Sequence, residues 1–501
     1  MAARIDLHTL RGLPVIVGAG VAGLMTALHF GDKPCVLVSC AEPPGVGALP
    51  YGVAAALGAD DTPADRARHT LERADGLASL ETVQRITGAM ASVVDTLGQF
   101  GITIKAGSHD SGFALHAALL AAVHARPNVT IIAPTAVRRL IVVDGHVRGI
   151  ALNAGERSVT LDSDAVILAS GGTCGLYSDG LGPRTAAGSG LAVAARAGVV
   201  LSDLEFVHFH PFALSLGDTP GSGLAIPFGL YGPDAMLLDE QGQKLEGDIS
   251  DPAYVARAIF ARKTEGHAVF LDLRKIVASD EKKDGSILKS FLSVCHARGI
   301  DPATQALPVR PAPAFHMGGI RTDASGRTSL PGLWACGEVA STGFHGASVY
   351  DGNPLLEAVV CSRFVAENVT GRMPAPFRDV SGIRPEQSLP RGLLPVVRKV
   401  MSTAMAPMRT ETMLTDALMR ISRFADYDDV ALIAQMMLVS ALRRRESRGA
   451  HFRSDFPAAD TVAKRVSLTA DEVRTAVRLI GRDHPVTWSL DGVTQINPLN
   501  A

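Results

Sequence analysis

Residues 18–23 read Gly18-Ala19-Gly20-Val21-Ala22-Gly23, a Gly-x-Gly-x-x-Gly spacing whose natural ligand is a diphosphate. Gly18 permits a tight turn and Gly20 lets backbone amides approach a pyrophosphate. Gly23 lets the next helix lie close on a sheet with its N-terminal N–H groups facing the phosphates. The flanks make the motif specific: apolar Val15-Ile16-Val17 supplies a strand before it, and small residues through Leu28 supply a helix after it. Two later stretches suit the same ligand. The apolar run Leu333-Trp334-Ala335-Cys336 ends in Gly337-Glu338, where a carboxylate can accept ribityl hydroxyls. A helix starting near Pro354-Leu355 can turn its N-terminal amides to a flavin pyrimidine.

A parallel sheet must hold these groups. Cys35-Val36-Leu37-Val38-Ser39 reads as the second strand, and Ser39-Cys40-Ala41 lacks the acidic residue that binds a ribose hydroxyl in NAD proteins, which favours a flavin dinucleotide. Gly45-Val46-Gly47-Ala48-Leu49-Pro50-Tyr51-Gly52 reads as a loop that lines the cofactor or merely connects. Asp61-Thr62-Pro63-Ala64-Asp65 carries helix start signals, and apolar spacing predicts helices over 66–77 and 89–100. Strands are expected over 129–133, 136–143, 146–152 and 165–169, the last ending in Ser170-Gly171-Gly172. Gly188-Ser189-Gly190 opens another helix, over a ligand or over a close helix–sheet contact.

The length of 501 residues suggests about three domains, and 47% hydrophobic with 20% charged residues describes an ordinary globular core. A net charge of -2 argues against a nucleic-acid surface. No apolar run reaches the roughly 18 residues of a membrane span. Met1 to Leu13 lacks the apolar core of a secretory signal, so a cytoplasmic location is expected. Cys35, Cys40, Cys174, Cys295, Cys336 and Cys361 show neither Cys-x-x-Cys nor Cys/His ligand spacing, which favours free thiols and no metal site.

With these stretches in hand, the chain resembles the L-aspartate oxidases of the succinate dehydrogenase and fumarate reductase flavoprotein family. The matching segments run in order along nearly the whole chain: GAGVAG at 18–23, LASGGTCGLY at 168–177, GLAVAARAGVVLSDLEFVHFHPFAL at 190–214, FLDLR at 270–274, HMGGIRTDASGRTSLPGLWACGEVASTGFHGA at 316–347 and RRESRGAHFRSDFP at 444–457. The resemblance implies an α/β fold: a Rossmann-like FAD-binding domain from 1–203 and 317–370, an inserted α+β capping domain at 204–316, and a C-terminal helical bundle at 371–501. It implies FAD contacts at Ala19, Val21, Ala22, Cys40, the loop 45–52, Ala136, Val137, Ser189, Glu338, Pro354 and Leu355. Some relatives attach FAD through a histidine in the second loop; 45–52 holds none, so binding should be noncovalent. The implied reaction is oxidation of L-aspartate to iminosuccinate for NAD synthesis, with oxygen or fumarate as acceptor and quinolinate synthase next in the pathway.

Several family side chains are replaced. The second loop of the family reads Ser-Ser-x-x-Ala-Gln-Gly-Gly, where Gly45, Val46, Pro50 and Tyr51 stand here. The acid/base arginine of Pro-Arg-Asp-x-Val-Ala-Arg-Ala falls on Pro252, and the carboxylate-binding arginine of His-Gly-Ala-Asn-Arg falls on Val349. The first histidine of His-x-His-Met-Gly-Gly is Ala314, and the polar Thr-Glu stretch becomes 227–234, with Phe228 and Tyr231. The segment expected to carry a substrate-orienting glutamate is shortened around Lys105 to His109. His210, His316 and His345 remain as groups that bind substrate, shuttle a proton or simply support the loops. Arg257 and Lys105 are the nearest replacement cations in sequence, but the resemblance makes Arg257 itself a family scaffold position. The apolar replacements suit a paralogue acting on a less charged amino or hydroxy acid; a catalytically weak partner or regulatory protein that keeps the fold is the other alternative. Helical spacing over 401–437 predicts a bundle, with Arg448 and His451 at a domain interface.

Overall fold

Val15–Val17 (β1) is buried along its length, as the centre of a parallel sheet requires. It leads through the glycine turn into Val21–His29 (α1) and Cys35–Val38 (β2). The computed structural model describes residues 6–41, 62–103, 112–154, 157–215, 224–227, 230, 234–246, 251–279, 286–373, 380, 383 and 392–483. The loop 45–52, Lys105 to His109, Phe228 and Tyr231 lie outside these residues.

Four helices follow: Pro63–Arg73 (α2), Leu80–Gly88 (α3), Ser92–Gln99 (α4) and Gly112–His124 (α5). α2 begins where the start signals of 61–65 place it, with Thr62 as its cap and Pro63 in its first turn. It stops short of Leu77, at the left-handed pair Asp75 and Gly76. The strands Val129–Ile132 (β3), Val137–Val143 (β4), His146–Ala154 (β5), Arg157–Asp162 (β6) and Val166–Leu168 (β7) come next. β6 is an addition to the expected set; it closes the antiparallel sheet β4-β5-β6.

Ser189–Arg196 (α6) and Leu201–Ser202 (β8) precede Val207–Leu214 (β9), Met236–Leu238 (β10) and Pro252–Thr264 (α7). Val269–Asp272 (β11), Arg274–Ala278 (α8), Ser286–His296 (α9) and Leu307–His316 (β12) complete this stretch. β10-β11-β12-β9 is one antiparallel sheet drawn wholly from residues 207–316. The chain then forms Gly319–Arg321 (β13), Leu333–Ala335 (β14), Ala340–Ser341 (β15) and the long helix Asn353–Gly371 (α10). β14 returns to the first sheet, whose order β14-β7-β1-β2-β3 is parallel throughout and places the carboxyl ends of β1, β7 and β14 side by side. Ligands of open parallel sheets bind at such an edge.

The remaining helices are Leu394–Ala404 (α11), Glu411–Ser422 (α12), Asp429–Arg443 (α13) and, after the strand Ser467–Leu468 (β16), Ala470–Asp483 (α14). α13 is buried from Ala431 to Ala441 and is the centre of this group. The bundle is interrupted: β16 pairs antiparallel with β8 at the end of the sheet β15-β13-β8-β16. A two-residue strand has no periodicity to read in the sequence.

Candidate functional site: a cofactor cleft and its cation-poor neighbour

The three glycines of the turn face different surroundings. Gly18 has φ +114, and a Cβ there would lie 2.3 Å from the Ala169 carbonyl oxygen. At Gly23 it would lie 1.9 Å from the Gly18 oxygen. At Gly20 it would meet nothing within 4 Å among the described residues. Two glycines are therefore needed by the protein's own packing, while the third faces open space at the N-terminus of α1, where amide donors and the helix dipole favour an anion. His116 of α5 supports the turn: its Nε2 lies 2.8 Å from the Ala19 carbonyl oxygen, which can only accept, so that nitrogen carries the proton. No sequence signal marks His116, because the contact joins residues far apart in the chain.

Other expected segments converge here. A Cβ on Gly337 would lie 2.7 Å from Ala22, one on Gly172 would lie 2.3 Å from Glu338 Oε1, and one on Gly190 would lie 1.9 Å from Ser170 Oγ. The turn, the end of β7, the start of α6 and the Glu338 turn thus meet at the carboxyl edge of the parallel sheet. Glu338 accepts from the His316 backbone N–H at 2.9 Å. Burial pushes its carboxyl up to about 7 despite backbone N–H bonds from His316 and Gly172. Ser189 and Cys40 are exposed, and Val137 is buried as β4 begins. Pro354 and Leu355 lie in the first turn of α10, whose start is tied to α2: Arg66 Nη1 donates to the Asp351 carbonyl and to Asn353 Oδ1, both at 2.9 Å.

The three histidines are all buried. His210 Nδ1 accepts from the Phe212 N–H at 3.2 Å, and burial pushes the ring down to about 3. His316 Nε2 meets the Leu204 carbonyl at 3.2 Å, and burial pushes it down to about 4. Both are neutral at physiological pH and so cannot replace an arginine as a cation. His345 Nε2 lies 2.9 Å from Glu357 Oε2, and Thr342 donates to the other carboxylate oxygen. Among the described residues His345 Nδ1 is buried without a hydrogen-bond partner, and the ring sits edge-on to Phe315 with centroids 5.0 Å apart. Glu357 is a further site group that the sequence reading missed.

The replaced positions have structural occupations. Pro252 is the first residue of α7, capped by Asp251, whose carboxylate accepts from Ala253 N at 3.0 Å. Val349 packs into an apolar cluster with Leu77, Phe206, Phe315, Met317 and Ala347. Arg448 and His451 are buried among domain contacts: Arg448 Nη1 donates to the Asp75 carbonyl at 2.8 Å, and His451 Nδ1 accepts from Arg409 at 2.8 Å. All six cysteines are unpaired. Among the described residues there is no group of three His, Cys, Asp or Glu side chains placed to hold a metal. None of their helices is long and apolar enough to cross a membrane.

Residues 14–355 match the family model of the FAD binding domain, and 423–487 match that of the fumarate reductase flavoprotein C-terminus. These matches define an FAD-dependent oxidoreductase of the succinate dehydrogenase and fumarate reductase flavoprotein family. Within it, the chain belongs to the L-aspartate oxidase family. It is 36% identical to the L-aspartate oxidase of Mesorhizobium japonicum, over 93% of this chain and 96% of that one. It is 30% identical to that of Pyrococcus horikoshii, over 88% and 95%. The fold matches that of E. coli quinol fumarate reductase, with a TM-score of 0.77 and 23% identity over 91% of this chain and 94% of that one.

Proposed function

We propose that this flavoprotein oxidises an amino or hydroxy acid carrying less negative charge than L-aspartate. Val349 carries this reading: where the family resemblance places a carboxylate-binding arginine, an aliphatic side chain packs among Phe206, Phe315 and Met317. The neutral His210 and His316 supply no charge in its place. A carboxylate buried there without a partner costs several kcal/mol, whereas an apolar substrate group fits. The contacts we assign to FAD are Gly18 to Gly23, Cys40, the stretch 45–52, Ala136, Val137, Ser189, Glu338, Pro354 and Leu355, with 204–316 as the cap. Held by these residues, FAD would supply the hydride acceptor for the substrate carbon that bears the amine or hydroxyl. Glu357 holds the Nε2–H of His345, which leaves the Nδ1 lone pair as acceptor for the substrate's N–H or O–H proton. The unpaired thiols suit a cytoplasmic enzyme.

The identity to L-aspartate oxidases across nearly the whole chain favours a second reading, in which L-aspartate gives iminosuccinate, oxygen or fumarate reoxidises the flavin, and quinolinate synthase consumes the product. Anaerobic single-turnover reduction separates the two. Aspartate should bleach the flavin at least about 10³-fold more slowly than the best monocarboxylic amino or hydroxy acid, about 4 kcal/mol in the barrier for two missing charge-assisted pairs. Rapid bleaching by aspartate would overturn the first reading in favour of the second.

Acid precipitation should leave a colourless pellet and yellow supernatant, because the stretch 45–52 offers no histidine for a covalent link. A yellow pellet would show a covalent bond elsewhere.

A further inference from the structure

We infer that Glu357 and Thr342 are positioning residues: together they fix the tautomer of His345 and so choose Nδ1 as the atom that takes the substrate's proton, with the Glu357 carboxylate balancing the charge the ring then carries. This rests on the role given to His345 above and names the groups that set it.

The His345 loop is anchored through its backbone. The Gly343 carbonyl accepts from Ser79 N–H at 2.8 Å, and Ala347 donates to the Ala74 carbonyl at 3.0 Å and accepts from Ala450 N–H at 2.9 Å. Gly346 has φ +59, and a Cβ there would lie 2.6 Å from Ala74, so the turn beside His345 closes only on glycine. The ring is 4% exposed and packs on Phe315 and Phe344, with centroids 5.0 and 5.1 Å away. A ring wedged in this way exchanges its two nitrogens only by displacing close-packed neighbours.

The hydrogen-bond inventory decides which nitrogen carries the proton. Thr342 has a single hydroxyl proton and donates it to one Glu357 oxygen, while its own oxygen accepts from Phe344 N–H at 3.2 Å. The other Glu357 oxygen, 2.9 Å from His345 Nε2, is left as an acceptor. Glu357 is 1% exposed, and among the described residues its carboxylate pairs with His345 and with no lysine or arginine. Nε2 therefore holds the proton, and Nδ1, buried without a partner among the described residues, keeps its lone pair. When Nδ1 takes a proton, the bonding electrons stay on the substrate nitrogen or oxygen and the ring becomes a cation facing the anion of Glu357. The carboxylate orients and compensates without itself taking the proton, as the acid of a catalytic triad does.

The pair stands on the cofactor side of the sheet. Glu357 lies three residues beyond Pro354 in α10, on the same helix face. After burial, its charge is among the causes that raise the Glu338 carboxyl. Phe315, on which the His345 ring packs, belongs to the cluster that holds Val349.

The test uses the FAD-loaded full chain with isotope-labelled histidine rings read by ring-nitrogen NMR, His345 being the signal lost in His345→Gln. The resting protein should show Nε2–H and a bare Nδ1. In Glu357→Gln the Thr342 hydroxyl keeps the amide oxygen, the amide N–H faces Nε2, and the tautomer should invert to Nδ1–H. Single-turnover reduction by the monocarboxylic amino or hydroxy acid that bleaches the flavin fastest should then slow at least about 10³-fold, with its saturation constant within about threefold of wild type. Glu357→Asp should keep the Nε2–H signal and recover part of the rate. A resting Nδ1–H ring, a tautomer unmoved in Glu357→Gln, or an inverted tautomer with an unslowed rate overturns the inference and leaves the cation-poor reading standing. If Glu357→Gln does not retain FAD, the resting and Glu357→Asp spectra decide, and an Nδ1–H ring in either overturns it. Aspartate that bleaches faster than any monocarboxylic acid defeats the cation-poor reading, while the tautomer, read without substrate, still tests the pair.

Discussion

Gly20→Val should purify as folded, colourless protein, whereas Gly18→Ala should fail to accumulate in folded form. The motif treats these glycines alike, but their surroundings do not. A Cβ on Gly18 would be driven to 2.3 Å from the Ala169 carbonyl oxygen, at φ +114, so a single methyl must displace β7 or strain the turn. Strain and overpacking of this kind place the cost at roughly 3–5 kcal/mol, a large share of a domain's stability. Gly20 has φ −74 and open space before it, so valine is tolerated by the fold and occupies the approach of the pyrophosphate. FAD affinity should fall by at least about 10³-fold. Flavin-to-protein absorbance after reconstitution and circular dichroism check both halves: a yellow Gly20→Val protein with wild-type flavin content, or a stable Gly18→Ala protein, would contradict the assignment of the two roles.

Arg444→Met should cost about 3–5 kcal/mol at neutral pH, the scale for removing one partner of a buried ion pair. Glu205 is fully buried, with Oε1 2.6 Å from Arg444 Nε, while Ser440 donates to its other oxygen. Arg444 also binds Glu446 and the Lys464 carbonyl. Burial already raises the Glu205 pKa against the pull of Arg444. Without the arginine it rises further, and Glu205 must take up a proton on folding. A folded-state pKa above the unfolded value means that the penalty is absent below the unfolded pKa and grows as pH rises toward the folded one. The variant's deficit in urea unfolding should therefore shrink between pH 8 and pH 5. An equal deficit at both pH values would locate the loss in packing against Phe206, whose ring lies 4.8 Å from the Arg444 Cζ, and not in the stranded charge.

The glycine turn was legible in the sequence because each of its requirements is steric and local: a strand, a tight turn and a helix lie within fifteen residues. The same holds for Glu338, which follows directly on β14. Elements defined by partners distant in the chain were not. The expected helix over 89–100 begins only at Ser92, since Ala89 closes α3 with its N–H on the Ile86 carbonyl. β6 reads as polar because Leu161 is its one deeply buried apolar side chain among the described ones, packed against β5. Glu357 looks like an ordinary helical glutamate until α10 brings it to His345, twelve residues earlier in the chain. Val349 could be seen to lack a charge, but only its packing against Phe206 and Phe315 shows what replaces the charge.

The pairing of β16 with β8 sets an order of assembly. β8 lies in the sheet beside the Glu338 turn, yet its outer edge is completed by Ser467 and Leu468, and Asp203 just beyond it is held by Arg465 at 2.6 Å. While a ribosome is still making the cap and the helices, the half that holds the cofactor carries an open strand edge and an unmatched acid. Such an edge is a template for pairing with another nascent chain. Protein cut within 444–466 would carry the same lesion after synthesis, because the fastening strand would be held only by its remaining contacts. The late segment thus acts as a clasp: the β8 edge is closed only once residues 465–468 are in place.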